Sequence, residues 1–238
     1  MNGNLDNGSD LPLSLPIELG SLPVMIEIAP PESQAPQKSH IPFQHSLRWV
    51  SPYEGEQCKS RLAIFMTQNA FIRACAHAGS DIDNEVGGWL VGKRRSDDIR
   101  IQEFIVIEKV LPASYTKSGK AYLTFTQESQ VEMHAILEEH FPGKEIVGWY
   151  HTHPSMGIFL SEQDTWLHKN FFKNSWQVAL VIEPVSSTGG FFIPEEDGQP
   201  DSRKYFGFYE LLTENQQSVV HWNNMTLTEP ETDGGTVK

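Results

Sequence analysis

Basic residues are scarce in this sequence: 18 Lys and Arg stand against 31 Asp and Glu, a formal charge of -13 over 238 residues. Such a chain does not raise the broad positive field that nucleic acids or anionic membranes require, so no nucleic-acid and no membrane partner is expected. Cysteine is scarcer still. Cys58 and Cys75 are the whole complement, too few for a disulfide framework or a four-thiolate structural zinc, and a reduced, cytoplasmic setting is the expectation. Long apolar runs are missing as well. Stretches such as Val178 to Ile182 are strand-sized, well short of the ~20 residues a membrane helix needs. The first basic side chain is Lys38, so the amino terminus shows neither the charged start of a secretion signal nor the arginine-rich face of a transit peptide.

What is present falls into three parts. Residues 1–55 carry Pro12, Pro16, Pro23, Pro30, Pro31, Pro36 and Pro42 without a helical period, and read as a Pro-rich tail or linker. Within it, Leu22 to Ile28 has the apolar content of an edge strand or docking segment. Residues 216–238 are polar and acidic and read as a second tail. Between them, residues 56–215 alternate strand and helix periods, which predicts one mixed α/β domain.

Within that domain, Leu62 to Met66 predicts a strand. Ala70, Phe71, Ala74, Cys75 and Ala78 then fall at helical spacing, with Gly79 at the cap, which makes Cys75 a core residue. Gly88 to Gly92 and Ile99 to Val110 predict strands joined by a polar turn at Arg94 to Asp98. Met133, Ile136, Leu137 and Phe141 form the stripe of a second helix, stopped by Pro142-Gly143. Further strands are expected at Glu145 to His151, Gln177 to Ile182, Phe191 to Ile193 and Tyr205 to Leu212.

The chemistry concentrates in Gly148-Trp149-Tyr150-His151-Thr152-His153-Pro154. Two histidines two apart on an extended strand face the same way, a chelating arrangement, and Pro154 ends the strand so that they lie at its carboxyl edge. Ser161-Glu162-Gln163-Asp164 follows, ahead of a helical stretch with Leu167, Phe171 and Phe172. In a first helical turn Asp164 can serve as a third ligand beside the histidines, or Ser161 and Asp164 can simply cap the helix. His168, one turn on, reads as an outer or solvated histidine and stays outside the site. Other metal motifs are absent: there is no His-Glu-x-x-His helix, no deaminase cysteine pair after the histidines, and no cupin glutamate, since Met156, Gly157 and Ile158 occupy that stretch.

These elements resemble the JAMM or MPN+ metallopeptidases, whose pattern is an upstream glutamate, His-Ser/Thr-His, seven residues, Ser, two residues and Asp. His151-Thr152-His153, Pro154 to Leu160 and Ser161 to Asp164 match it without a gap, and Glu85 in Asn84-Glu85-Val86-Gly87-Gly88-Trp89 corresponds to the glutamate. The likeness spans roughly residues 60–212. It implies a curved mixed β-sheet flanked by helices, of cytidine-deaminase-like type, and one catalytic Zn2+ held by His151, His153 and Asp164. Glu85 is then the base that takes a proton from water and passes it to the departing amine, and Ser161 the oxyanion donor.

The implied substrate is an isopeptide or peptide bond at the carboxyl terminus of a ubiquitin or ubiquitin-like protein or its conjugates, with other conjugation-pathway proteins as further partners. Pro112 to Tyr122 is the expected clamp for that tail. After Asp164 the chain has no cysteine, so the inserted second zinc site of some relatives is not expected, leaving a simple deconjugase or a processor of ubiquitin-like sulfur carriers. A non-catalytic MPN scaffold is the alternative.

Overall fold

The computed structural model describes residues 35–53, 62–100, 102–113, 116–119, 122–212 and 217–228. The expected segment at Leu22 to Ile28 lies outside them. In chain order the elements are β1 (Gln37–Lys38), β2 (Ser46–Val50), β3 (Leu62–Thr67), α1 (Gln68–Ala78), β4 (Gly87–Asp97), β5 (Gln102–Pro112), β6 (Thr116–Gly119) and β7 (Tyr122–Phe125). They continue with α2 (Gln127–His140), β8 (Glu145–Thr152), α3 (Glu162–Phe171), β9 (Val178–Glu183), β10 (Thr188–Phe192), β11 (Phe208–Leu211) and β12 (Thr226–Thr228).

One mixed sheet carries nearly all the strands, in the order β10-β9-β8-β4-β5-β3-β11-β2-β12, with β1 beside the far end of β4. Its interior strands read as unbroken apolar runs because both faces are covered. Leu62 to Met66 in β3 and all of β9 are buried. Thr67 ends β3 and caps α1, its side chain accepting the Ala70 N–H, and α1 lays Ala70, Phe71, Ala74 and Ala78 on the sheet. Cys75 packs against the same core; burial pushes its thiol up to about 11, partly offset by a hydrogen bond with Trp222. The sheet curls until β10 meets the chain just ahead of β11: Phe191 and Phe206 exchange two backbone hydrogen bonds, at 3.0 and 2.7 Å.

The packed body is wider than residues 56–215. Residues 46–50 and 226–228 are strands β2 and β12 of the main sheet. Trp222, expected in a tail, is 3% exposed and packs on Phe71 and Phe208. The polar composition of the carboxyl-terminal segment conceals two anchors, Trp222 and Met225, and segment-averaged polarity does not register single buried side chains.

The turn expected at Arg94 to Asp98 is instead strand, and β4 runs to Asp97. Charge does not end the strand where it finds a partner across it: Arg94 forks onto Glu103 and lies over the Trp176 ring. The turn begins where Asp97 Oδ1 accepts the N–H groups of Ile99 and Arg100, while Oδ2 accepts the Ile41 N–H at 3.0 Å. The Ile41 bond and those from the turn hold the Asp97 carboxyl below its ordinary value against a smaller opposing effect of burial. A depressed folded value stabilises above the unfolded value of about 4 and is lost as pH falls through the folded one. Asp97→Asn is therefore expected to lower the thermal midpoint at pH 7, with the gap to the parent closing below about pH 4; a gap that persists in acid would refute this.

Gly148 shows why the approach to the histidines is built as it is. A Cβ there would lie 2.1 Å from the Val178 carbonyl oxygen, so only glycine lets β8 run this close beside β9. Among the described residues, no helix is long and apolar enough to cross a membrane.

Candidate active site

Strand pairing brings the site together. β8 runs antiparallel to β4 with Gly87 opposite His151, and the same register carried two residues further sets Glu85 opposite His153. Two hydrogen bonds extend the ladder that far: the Val86 N–H donates to Thr152 Oγ1 and the Thr152 N–H to the Val86 carbonyl, both at 2.9 Å. On the other side of β8, His153 continues the pairing with β9 by donating its N–H to the Ile182 carbonyl at 2.9 Å. Before Glu85, the Asp81 carboxylate gathers the N–H groups of Asp83 and Asn84, which folds the loop into β4.

Asp164 arrives from α3. Ser161 and Asp164 form a reciprocal capping box: Ser161 Oγ accepts the Asp164 N–H at 3.1 Å, and Asp164 Oδ2 accepts the Ser161 N–H at 2.8 Å. The Ser161 hydroxyl proton goes to the same Oδ2 at 2.6 Å. Capping is thus compatible with a ligand role, because it fixes the carboxylate so that it faces both histidines.

His151 Nε2 and His153 Nε2 are 3.0 Å apart, and they lie 3.4 Å from Asp164 Oδ1 and 3.5 Å from Asp164 Oδ2 respectively. All three residues are buried, at 0 to 2% exposure. Tetrahedral zinc at ligand distances of about 2.0–2.1 Å sets donor separations of roughly 3.3–3.4 Å; the two His–Asp separations lie close to this and the imidazole pair is somewhat tighter, and two imidazoles with a carboxylate are a zinc-type donor set. Among the described residues, His151, His153 and Asp164 form the group that gathers three metal-type ligands. Burial pushes the Asp164 carboxyl up, but the charge of His151 and hydrogen bonds from His151, His153 and Ser161 outweigh it and hold the group well below its ordinary value.

Glu85 lies beside the donors, 2% exposed, with Oε1 3.9 Å from His153 Nε2 and Oε2 without a hydrogen-bond partner. Burial pushes its carboxyl up to about 7, against the pull of His153 and with a smaller push from Asp164. All five residues named from the sequence therefore gather at one end of the β4–β8–β9 strip.

Three further features surround the site. The Trp149 indole stacks on the His151 ring at 4.6 Å and 10°, and its Nε1–H donates to His168 Nδ1 at 3.1 Å. His168 is fully buried rather than solvated, and burial lowers its value to about 4; the neutral ring is the acceptor Trp149 needs. Its position one turn beyond Asp164 is the one signal the sequence offers. Phe159 lies against the His153 ring, centroids 4.6 Å apart, while the adjacent Leu160 is buried in the core. The region Pro112 to Tyr122, expected as the clamp, contains β6, which pairs antiparallel with β7 from Thr116 opposite Phe125 to Gly119 opposite Tyr122.

A mixed, curled sheet flanked by three helices, with two histidines and an aspartate converging at a strand end, defines a candidate metallohydrolase-type centre. Residues 60–174, just under half of the chain, match the family model described as JAB1/Mov34/MPN/PAD-1 ubiquitin protease, and over that span the chain is similar to this family. Ubiquitin carboxyl-terminal hydrolase RPN11 of Saccharomyces cerevisiae is 29% identical over 128 residues, 53% of this chain and 40% of that protein. The 26S proteasome non-ATPase regulatory subunit 14 of Caenorhabditis elegans is 26% identical over 142 residues, 59% of this chain and 44% of that one. NAD(+) hydrolase TcpA of a Theionarchaea archaeon is 33% identical over 107 residues, 44% and 29% of the two chains. The chain thus spans less than half the length of these curated relatives.

Proposed function

We propose that this protein hydrolyses an isopeptide or peptide bond at the carboxyl terminus of a ubiquitin or ubiquitin-like protein, with His151, His153 and Asp164 holding one zinc ion and Glu85 as general base. The observation that carries the reading is the convergence of two imidazole nitrogens and a carboxylate at tetrahedral spacing beside a buried, unpaired glutamate oxygen. Zinc held there supplies Lewis acidity, making water a nucleophile near neutral pH and polarising the scissile carbonyl. The rest falls to the chain's own groups. Glu85 Oε2 takes the proton from the attacking water and returns it to the amine that departs, which turns a poor leaving group into a neutral one. Ser161 reaches the reacting carbonyl only if its proton swings away from Asp164 Oδ2, so its main contribution is to aim the carboxylate.

The RPN11 names support a ubiquitin-type substrate, and a ubiquitin-like sulfur carrier falls within the same class. The alignment with the archaeal NAD(+) hydrolase covers 29% of that protein, and the donor set here suits amide hydrolysis. The β6–β7 hairpin is the proposed clamp, since a free strand edge can accept an extended tail. A cytoplasmic setting is part of the same proposal, and the working unit is proposed to run from Pro36 to Thr228.

The test combines elemental analysis with cleavage. Purified protein is expected to carry one zinc per chain, lost in His151→Ala. It is also expected to cut ubiquitin or ubiquitin-like fusions at the carboxyl-terminal residue of the ubiquitin-like part, as read by mass spectrometry, until a chelator is added. Bound zinc without cleavage of any fusion would favour the scaffold reading, and absence of zinc would defeat both the ligand assignment and the mechanism.

A further inference from the structure

Immediately after the second histidine, the chain does something costly. Ser155 adopts a left-handed backbone at φ 58, a region that a non-glycine residue occupies only when its surroundings hold it there. The group that holds it is Glu183, the last residue of β9 and 3% exposed. Its Oε1 accepts the Ser155 N–H at 3.0 Å and the Val185 N–H at 2.7 Å. Its Oε2 accepts the Ser186 N–H at 2.9 Å and the Ser186 hydroxyl. A buried carboxylate persists only when donors surround it, and three backbone amides and a hydroxyl do so here. The turn then closes on the ligand itself, because Met156 donates its N–H to the His153 carbonyl at 3.1 Å.

We propose that Glu183 is a positioning residue for the metal site: it clamps the Pro154–Ser155 turn in its left-handed form and so aims the His153 imidazole at His151 and Asp164. This rests on His153 being a metal ligand. Glutamine cannot substitute, since its amide nitrogen would face donors on one side and leave at least one of them orphaned. Glycine at position 155, by contrast, adopts the left-handed backbone without steric penalty and removes the need for the clamp.

Three variants of the full chain test this: Glu183→Gln, Ser155→Gly and the pair together. Zinc affinity by chelator competition is expected to fall about 10- to 100-fold in Glu183→Gln, the range typical of groups that orient ligands. In the double variant most of that loss is expected to return. The thermal midpoint should stay low in the double variant, because the backbone donors that meet the glutamine NH2 still lack their acceptor; that split separates positioning from support of the fold. Amide exchange at Met156, which needs no metal, should be faster in Glu183→Gln and slowed again in the double variant. Zinc affinity in Glu183→Gln within twofold of the parent, or no recovery in the double variant, overturns the proposal. A parent chain that binds no zinc overturns the site reading instead, and the exchange rates then decide whether the clamp itself exists.

Discussion

Replacing Glu85 by glutamine is expected to lower kcat by about 10²–10⁴-fold, the usual contribution of a positioned general base, while the protein keeps its zinc. The two halves of that result come from separate facts. Glutamine retains the shape and burial of the side chain, so the fold at the start of β4 and the neighbouring donors are undisturbed. It lacks a site that takes up a proton, and Oε2 is a buried carboxylate oxygen beside the donors with no hydrogen-bond partner. Elemental analysis alongside steady-state kinetics on a cleavable fusion checks both halves together. Activity above a tenth of the parent would remove Glu85 from the mechanism. Loss of zinc along with activity would make it a ligand or a structural group.

The second large effect is expected at Asp164. Asparagine keeps an oxygen for the Ser161 N–H, so the capping box survives in part and the thermal midpoint should move by only about 2–5 °C. The negative charge facing the two imidazoles is lost, however, and a neutral amide is a poor zinc ligand. Affinity should fall by more than the 10- to 100-fold that a merely orienting group costs, and turnover should fall with it. Near-parent zinc affinity in Asp164→Asn would mean that the carboxylate serves the helix alone.

Much of the site is legible in the amino-acid sequence, for a physical reason. Histidines two apart on a strand must share a face, and a Ser-x-x-Asp at a helix start must bring its two side chains together. These are short-range rules, so His151 with His153, and Ser161 with Asp164, can each be paired from their spacing, and the family likeness joins the two pairs. Glu85 cannot. It lies far along the chain from His153, and only the pairing of β4 with β8 makes them neighbours; a family likeness supplies it. The same limit hides the remaining residues. Glu183 acts through the pairing of β8 with β9, His168 through an indole on another strand, and Trp222 through a core it joins from the far end of the chain. The polar run at Arg94 to Asp97 misleads for a related reason: Arg94 is paired with Glu103 on the neighbouring strand and Asp97 with the distant Ile41 N–H, and composition cannot show those partners.

One consequence of the ladder between β4 and β8 reaches beyond this chain's chemistry. The spacing of Glu85 from His153 is set by hydrogen bonds between adjacent strands, whereas the hairpin proposed to grip the substrate is a separate two-stranded ribbon. If the hairpin grips the substrate as proposed, lengthening or rewriting that ribbon would change what is grasped and leave the distance from Glu85 to His153 where it is. On the proposed function, a scaffold of this kind can exchange one protein tail for another as its customer while the candidate centre stays in tune.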